Sequence, residues 1–182
     1  MNIRKVRLTK KNRLDVTYYD KDGNDVTVKG KHTCHEDFIN ALQRLVPYFA
    51  EVTEQKEADR IDWSDPEGGT TKELLKNIAF SGLTTTDAED SVIVVMNGLR
   101  RLQTREVIKI NSPGIDMAFD PDWPRHAEFM LALGDVFAEA RLYVENRKWD
   151  SVVLDSEDVE VNEDPFAEVT PTAEIEPLED IS

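Results

Sequence analysis

His32, Cys34 and His35 bring three potential metal ligands into four residues, and His126 is the remaining histidine that could complete a zinc site. Structural zinc sites space their ligands in separated pairs, whereas these three crowd the point where a strand pattern gives way to a helix pattern. Turn and first-turn roles are therefore expected, and no metal. Asp20, Asp22, Asn24 and Asp25 imitate a calcium loop, but Gly23 falls at the wrong position and Lys31 occupies the place of the bidentate glutamate. A hairpin turn accounts for them. Glu67-Gly68-Gly69-Thr70-Thr71-Lys72 has glycines and a lysine, yet it lacks a preceding strand, four residues between its glycines, and Ser or Thr directly after the lysine. Carboxylates are so abundant that no pair stands out as a glycosidase dyad, and there is neither a spaced metal triad nor a nucleophile elbow. Trp123 and Trp149 bracket a helix pattern and are expected to pack at its ends. The expectation is a protein that is not an enzyme and uses no cofactor.

Charge is more informative than these motifs. Residues 150–182 contain 12 of the 37 acidic residues and no Lys or Arg, so the remaining 149 residues hold 25 acids against 22 bases. The acidity of the chain, formally −15, thus resides mostly in its last segment. The opposite bias marks the start, where Met1 to Lys31 carries 9 Lys or Arg against 4 Asp. A basic first module and an acidic last segment suggest a surface that attracts polyanions and a tail that competes for it. A lone cysteine allows no disulfide within the chain, and no run approaches the roughly 18 apolar residues of a membrane helix. A cytoplasmic protein without membrane contact is expected.

The elements that would position these charges can be read from periodicity. Val6 and Leu8, then Leu14, Val16 and Tyr18, then Val26 and Val28 alternate with polar residues as half-buried strands do. Asp22-Gly23-Asn24 supplies a hairpin turn between the second and third strands. The period then changes to 3.6 through Phe38, Ala41, Leu42, Leu45 and Phe49, with Thr33 and Glu36 as a capping box starting a helix at about Cys34. Pro47 should kink or end it. Residues 55–71 form a polar connecting loop. A second series comes next: Ile78 and Phe80, the apolar run Val92 to Met96 suited to a central strand, and Val107 to Ile110. Either Asn97-Gly98 or Gln103-Thr104 turns the chain between the last two. A helix with the stripe Phe129, Leu133, Val136, Phe137, Ala140 and Tyr143 succeeds Pro124, a residue suited to the first helical position.

Two consecutive β-β-β-α units, residues 1–54 and 72–150, make an α+β domain whose antiparallel strands carry helices on one side. The segment 151–182 has low hydrophobicity, with Pro165, Pro171 and Pro177 spaced through acid, and disorder is expected from about Asp155. Phe166, Ile175 and Leu178 within it are candidate anchors for a protein partner. If the apolar set of the first sheet faces the helices, alternation turns Lys5, Arg7, Arg13, Tyr19, Lys29 and Lys31 to the opposite face, together with Thr9, Thr17 and Thr27. Such a face suits single-stranded nucleic acid, with cations tracking phosphate and Tyr19 accepting a stacked base at about 1–3 kcal/mol. Cations that merely keep a one-sided sheet soluble would look the same.

An acidic tail behind a basic sheet resembles the organisation of bacterial and phage single-stranded DNA-binding proteins. That resemblance implies a tail that recruits replication or repair enzymes and shields the binding surface. The paired sheet-plus-helix modules are similar to Whirly-type single-strand binders, which use one more strand per module. Ile78-Ala79-Phe80-Ser81-Gly82 and the Val107 to Pro113 stretch resemble small phage- and prophage-encoded proteins of no known activity. The expected function is a nucleic-acid-binding accessory protein, with single-stranded DNA as ligand and a tail that modulates access or recruits a partner. The alternatives are an acidic adaptor or inhibitor that binds another protein, including one that mimics DNA, and a phage structural or assembly subunit using free sheet edges. Homo-oligomerisation is left open.

Overall fold

The computed structural model describes residues 1–118, 120 and 122–149. The tail anchors Phe166, Ile175 and Leu178, and the disorder expected from Asp155, lie outside these residues. Seven strands, β1 (Asn2–Leu8), β2 (Arg13–Tyr19), β3 (Asp25–Thr33), β4 (Ile78–Asp87), β5 (Val92–Arg101), β6 (Val107–Asn111) and β7 (Ile115–Asp116), form one antiparallel sheet. Its order is β3-β2-β1-β4-β5-β6, with β7 beside the start of β5. Four helices, α1 (Glu36–Arg44), α2 (Val46–Val52), α3 (Gly69–Leu74) and α4 (His126–Glu145), complete the α+β architecture, and among the described residues none is long and apolar enough to cross a membrane.

Each half is a three-stranded meander, and the two meet at a seam where β1 pairs antiparallel with β4: Lys5 opposite Thr84, Val6 opposite Leu83, Arg7 opposite Gly82. The backbones come so close there that a Cβ on Gly82 would lie 2.2 Å from the Val6 carbonyl oxygen, and Gly82 has φ +153°. Only glycine takes that conformation without strain. Thr85, buried at the seam, donates its hydroxyl to the Ile3 carbonyl at 3.0 Å.

The helices cross the seam to pack. α1 and α2 lie on β4, while α4 lies on β2 and on α1. Val6, Leu14, Val16, Leu83, Val94 and Met96 point from the strands into a core closed by Phe38, Leu42, Leu45 and Phe49 from α1–α2 and by Phe129, Leu133 and Val136 from α4. Period-2 and period-3.6 apolar residues therefore meet in one layer, as their spacing requires.

Several local expectations change. His35, not Thr33, caps α1: its Nδ1 accepts the Asp37 amide at 3.2 Å, while Thr33 is still in β3. Pro47 sits in the first turn of α2, where its missing N–H costs nothing, so the predicted long helix becomes two. Asn97-Gly98 lies inside β5, and the turn to β6 is made around Gln103-Thr104 by the Leu102 and Glu106 backbone. The end of the connecting segment is not all loop, since α3 begins at Gly69. Pro124 precedes the first residue of α4 by two.

Candidate nucleic-acid interface

The helices cover one face of the sheet, and the register fixes what the other face presents. Lys5 and Arg7 on β1 stand opposite Thr17 and Asp15 on β2, which stand opposite Thr27 and Lys29 on β3. Across the seam Lys5 adjoins Thr84, which adjoins Val95. One row thus runs Thr27, Thr17, Lys5, Thr84, Val95 over five strands, about 19 Å at the ordinary strand spacing. The Thr17 and Thr27 hydroxyls lie 3.1 Å apart.

Lys5, Arg7, Tyr19 and Lys29 share this face, in the register that places Val6, Leu14 and Val16 in the core. Arg13, two residues before Asp15 with the buried Leu14 between them, lies at the end of the same face, opposite Thr33. Between Asp15/Lys29 and Arg13/Thr33 the pairing is irregular, with β3 longer than β2, so Lys31 falls in the distorted stretch. Arg13 opens β2 at the end of the pair far from the β2–β3 hairpin, where its charge is felt by the Tyr143 phenol; burial pushes that phenol up, and Arg13 is among the groups that oppose the push. Tyr19 is half-buried, and the Arg4 guanidinium lies 4.9 Å from its ring centroid. Arg4 is in turn held by Asp87 at 2.6 Å. A base stacking on Tyr19 therefore has one ring face, backed by a cation on the other.

Periodicity alone does not bring out two features of this face. Asp15 lies directly between Arg7 and Lys29 and puts a carboxylate within the basic patch. Strand parity was the signal that could have found it, since Asp15 lies two residues from both Arg13 and Thr17. The second feature is an apolar strip. Ile93, Val95 and Leu99 alternate with the core residues Val94, Met96 and Gly98, so they point to the uncovered face, half-buried. On β6 Val107 continues it, while Lys109, opposite Leu99, adds a cation beside it. The run Val92 to Met96 does form an interior strand, but helices cover only one of its faces.

The apparent metal and calcium motifs have structural roles. His32 stacks on Trp149 with ring centroids 4.7 Å apart, the buried Cys34 directs its thiol to the Asn12 carbonyl at 2.9 Å, and His35 caps α1. Asp20 accepts the Asp22 and Asn24 amides, both at 2.9 Å, around Gly23 at φ +82°. The Asn24 bonds, more than the others, lower its pKa. His126, buried, has Nε2 3.1 Å from the Asp116 carbonyl. No family model, no curated protein and no solved structure matches this chain.

On the helical side, two shallow clefts beside α2 share Glu51 and Glu54, and they add Asp59 in one case and Asp116 and Asp120 in the other. The first also contains Lys56 and Arg125, so only the second has an unopposed carboxylate lining that repels a polyanion. The open sheet face is where cations, hydroxyls, a ring and apolar side chains are side by side.

Proposed function

We propose that the chain is a non-enzymatic nucleic-acid-binding accessory protein that takes single-stranded DNA on the open sheet face. The observation that supports this is the continuity of Lys5, Arg7 and Lys29 with the Thr17, Thr27 and Thr84 hydroxyls and the outward Val95 and Leu99. Cations there engage phosphate, and apolar side chains accept the faces of unstacked bases. The acidic tail modulates access or recruits a partner, in line with the likeness in organisation to tailed single-strand binders. A cytoplasmic site belongs to the same reading.

A protein ligand is the second reading, favoured by Asp15 amid the cations and by the strip Ile93, Val95 and Leu99. Fluorescence anisotropy of a labelled oligonucleotide over a salt series separates the two. Lys5→Glu, Arg7→Glu and Lys29→Glu together should abolish binding; single charge removals should each flatten the log–log salt slope by about 0.7. Full-length protein and triple variant behaving alike would remove this face from consideration.

A further inference from the structure

We infer that the segment just after Trp149 docks in cis on the free edge of β3, antiparallel to it, and carries the acidic tail onto the basic half of the open face. β3 is nine residues long and pairs only with β2 among the described residues, apart from the single bridge at its end. No residue of β3 is fully buried, and Val26 and Val28 are half-covered. A long, open edge of this kind is a template for another strand.

The chain itself is delivered to that edge. Trp149 forms an antiparallel bridge with Cys34, one residue beyond β3. The exit is held firmly, because the indole stacks on His32 and the Tyr143 hydroxyl donates to the His32 carbonyl at 2.9 Å. Lys148 is clamped by Asp37 at 2.6 Å and by Glu139 at 2.8 Å. A chain leaving Trp149 in this direction runs back along β3 toward Lys31 and Lys29.

The next residues of the chain suit the edge. Ser151-Val152-Val153-Leu154 is β-prone and free of Gly and Pro. Continuing the bridge residue by residue brings residues 151–155 alongside His32 to Val28. Asp25 then repels the carboxylates Asp155, Glu157 and Asp158, which ends the pairing and turns them toward Lys29, Arg7 and Lys5. The occupant is thereby the chain's own segment, chosen by continuity with the Cys34–Trp149 bridge and by charge. Docking stands independently of any ligand; its regulatory meaning, that the tail competes with DNA, rests on the function proposed above.

Hydrogen exchange of the full chain tests this, comparing wild type with Val152→Pro and with Val153→Pro. Successive strand residues point their N–H groups to opposite sides, so one of the two prolines must remove a bond to β3. A single cooperative melting transition retained in both variants verifies that the body is intact. Slow exchange in peptides spanning 25–33, accelerated about tenfold in at least one proline variant, supports docking. Equal exchange in all three proteins overturns it, as does protection that rises with protein concentration, which would assign the edge to a second copy. Oligonucleotide anisotropy on the same samples reads the functional proposal separately. Altered exchange with no DNA binding leaves docking in place and removes only the competition.

Discussion

Asp15 gives the sharpest test of the open face. It stands directly opposite both Arg7 and Lys29, about 5 Å away across each strand pair. A phosphate lodged between those cations would lie about 7 Å from the carboxylate. Repulsion at that distance is about 0.6 kcal/mol with the full dielectric of water and about 2.4 kcal/mol at an effective dielectric of 20. Asp15→Asn should therefore tighten oligonucleotide binding by about 3- to 50-fold at low salt. At physiological ionic strength, with a Debye length of about 8 Å, the gain should shrink to about fivefold or less. Anisotropy at both salt concentrations measures it, with Asp22→Asn in the hairpin turn as a charge-matched control that should change little. Unchanged or weaker binding of Asp15→Asn at low salt would refute the placement of DNA on this face.

Leu99→Asn, on the same face, should cost about 1 kcal/mol of stability or less, because the side chain is half-buried, yet weaken oligonucleotide binding fivefold or more if a base rests on it; melting and anisotropy on one preparation separate the effects. Gly82→Ala should destabilise by about 2–4 kcal/mol through its positive φ and the contact with the Val6 carbonyl, read as a lower urea midpoint. Burial drives the Glu57 carboxyl up, but Arg100, bonded to it at 2.8 and 2.9 Å, outweighs this and holds the pKa below the ordinary value. A depressed folded pKa stabilises above the unfolded value of about 4.3 and is lost as pH falls through the folded one. Glu57→Gln should then lose about 1.5–3 kcal/mol at pH 7, and the gap to wild type should narrow below pH ~4 in urea titrations at both pH values.

The strands β1 to β3 were legible because one face is buried, and a one-residue slip would have exposed Leu14 and Val16. The Phe129 to Tyr143 stripe was legible for the same reason at a different period. Strand order across the seam was not, because the pairing of Val6 with Leu83 joins residues 77 apart with no turn between them to announce it. Local competition misled the start of α1, where an imidazole two residues after Thr33 took the capping role. In the candidate site, alternation found Lys5, Arg7, Tyr19 and Lys29. Lys31, exposed, falls in the stretch of β3 where the pairing with β2 is irregular. The outward Ile93 and Val95 escaped notice because a continuous apolar run does not say how many of its faces are covered.

The exchange of helices across the seam has a consequence for how the protein is made. When the first 54 residues leave the ribosome, the strand on which α1 and α2 rest, β4, has not been synthesised, and α4, which shields β2, is more than 70 residues away. The early half must wait with β1 unpaired on one side and Phe38, Leu42 and Phe49 without their partners. The contacts that complete the fold are long-range, the regime in which folding is slow. Nicked between Ser64 and Gly68, an exposed stretch of the connection, the two pieces would behave as an obligate heterodimer, each folding only on the other.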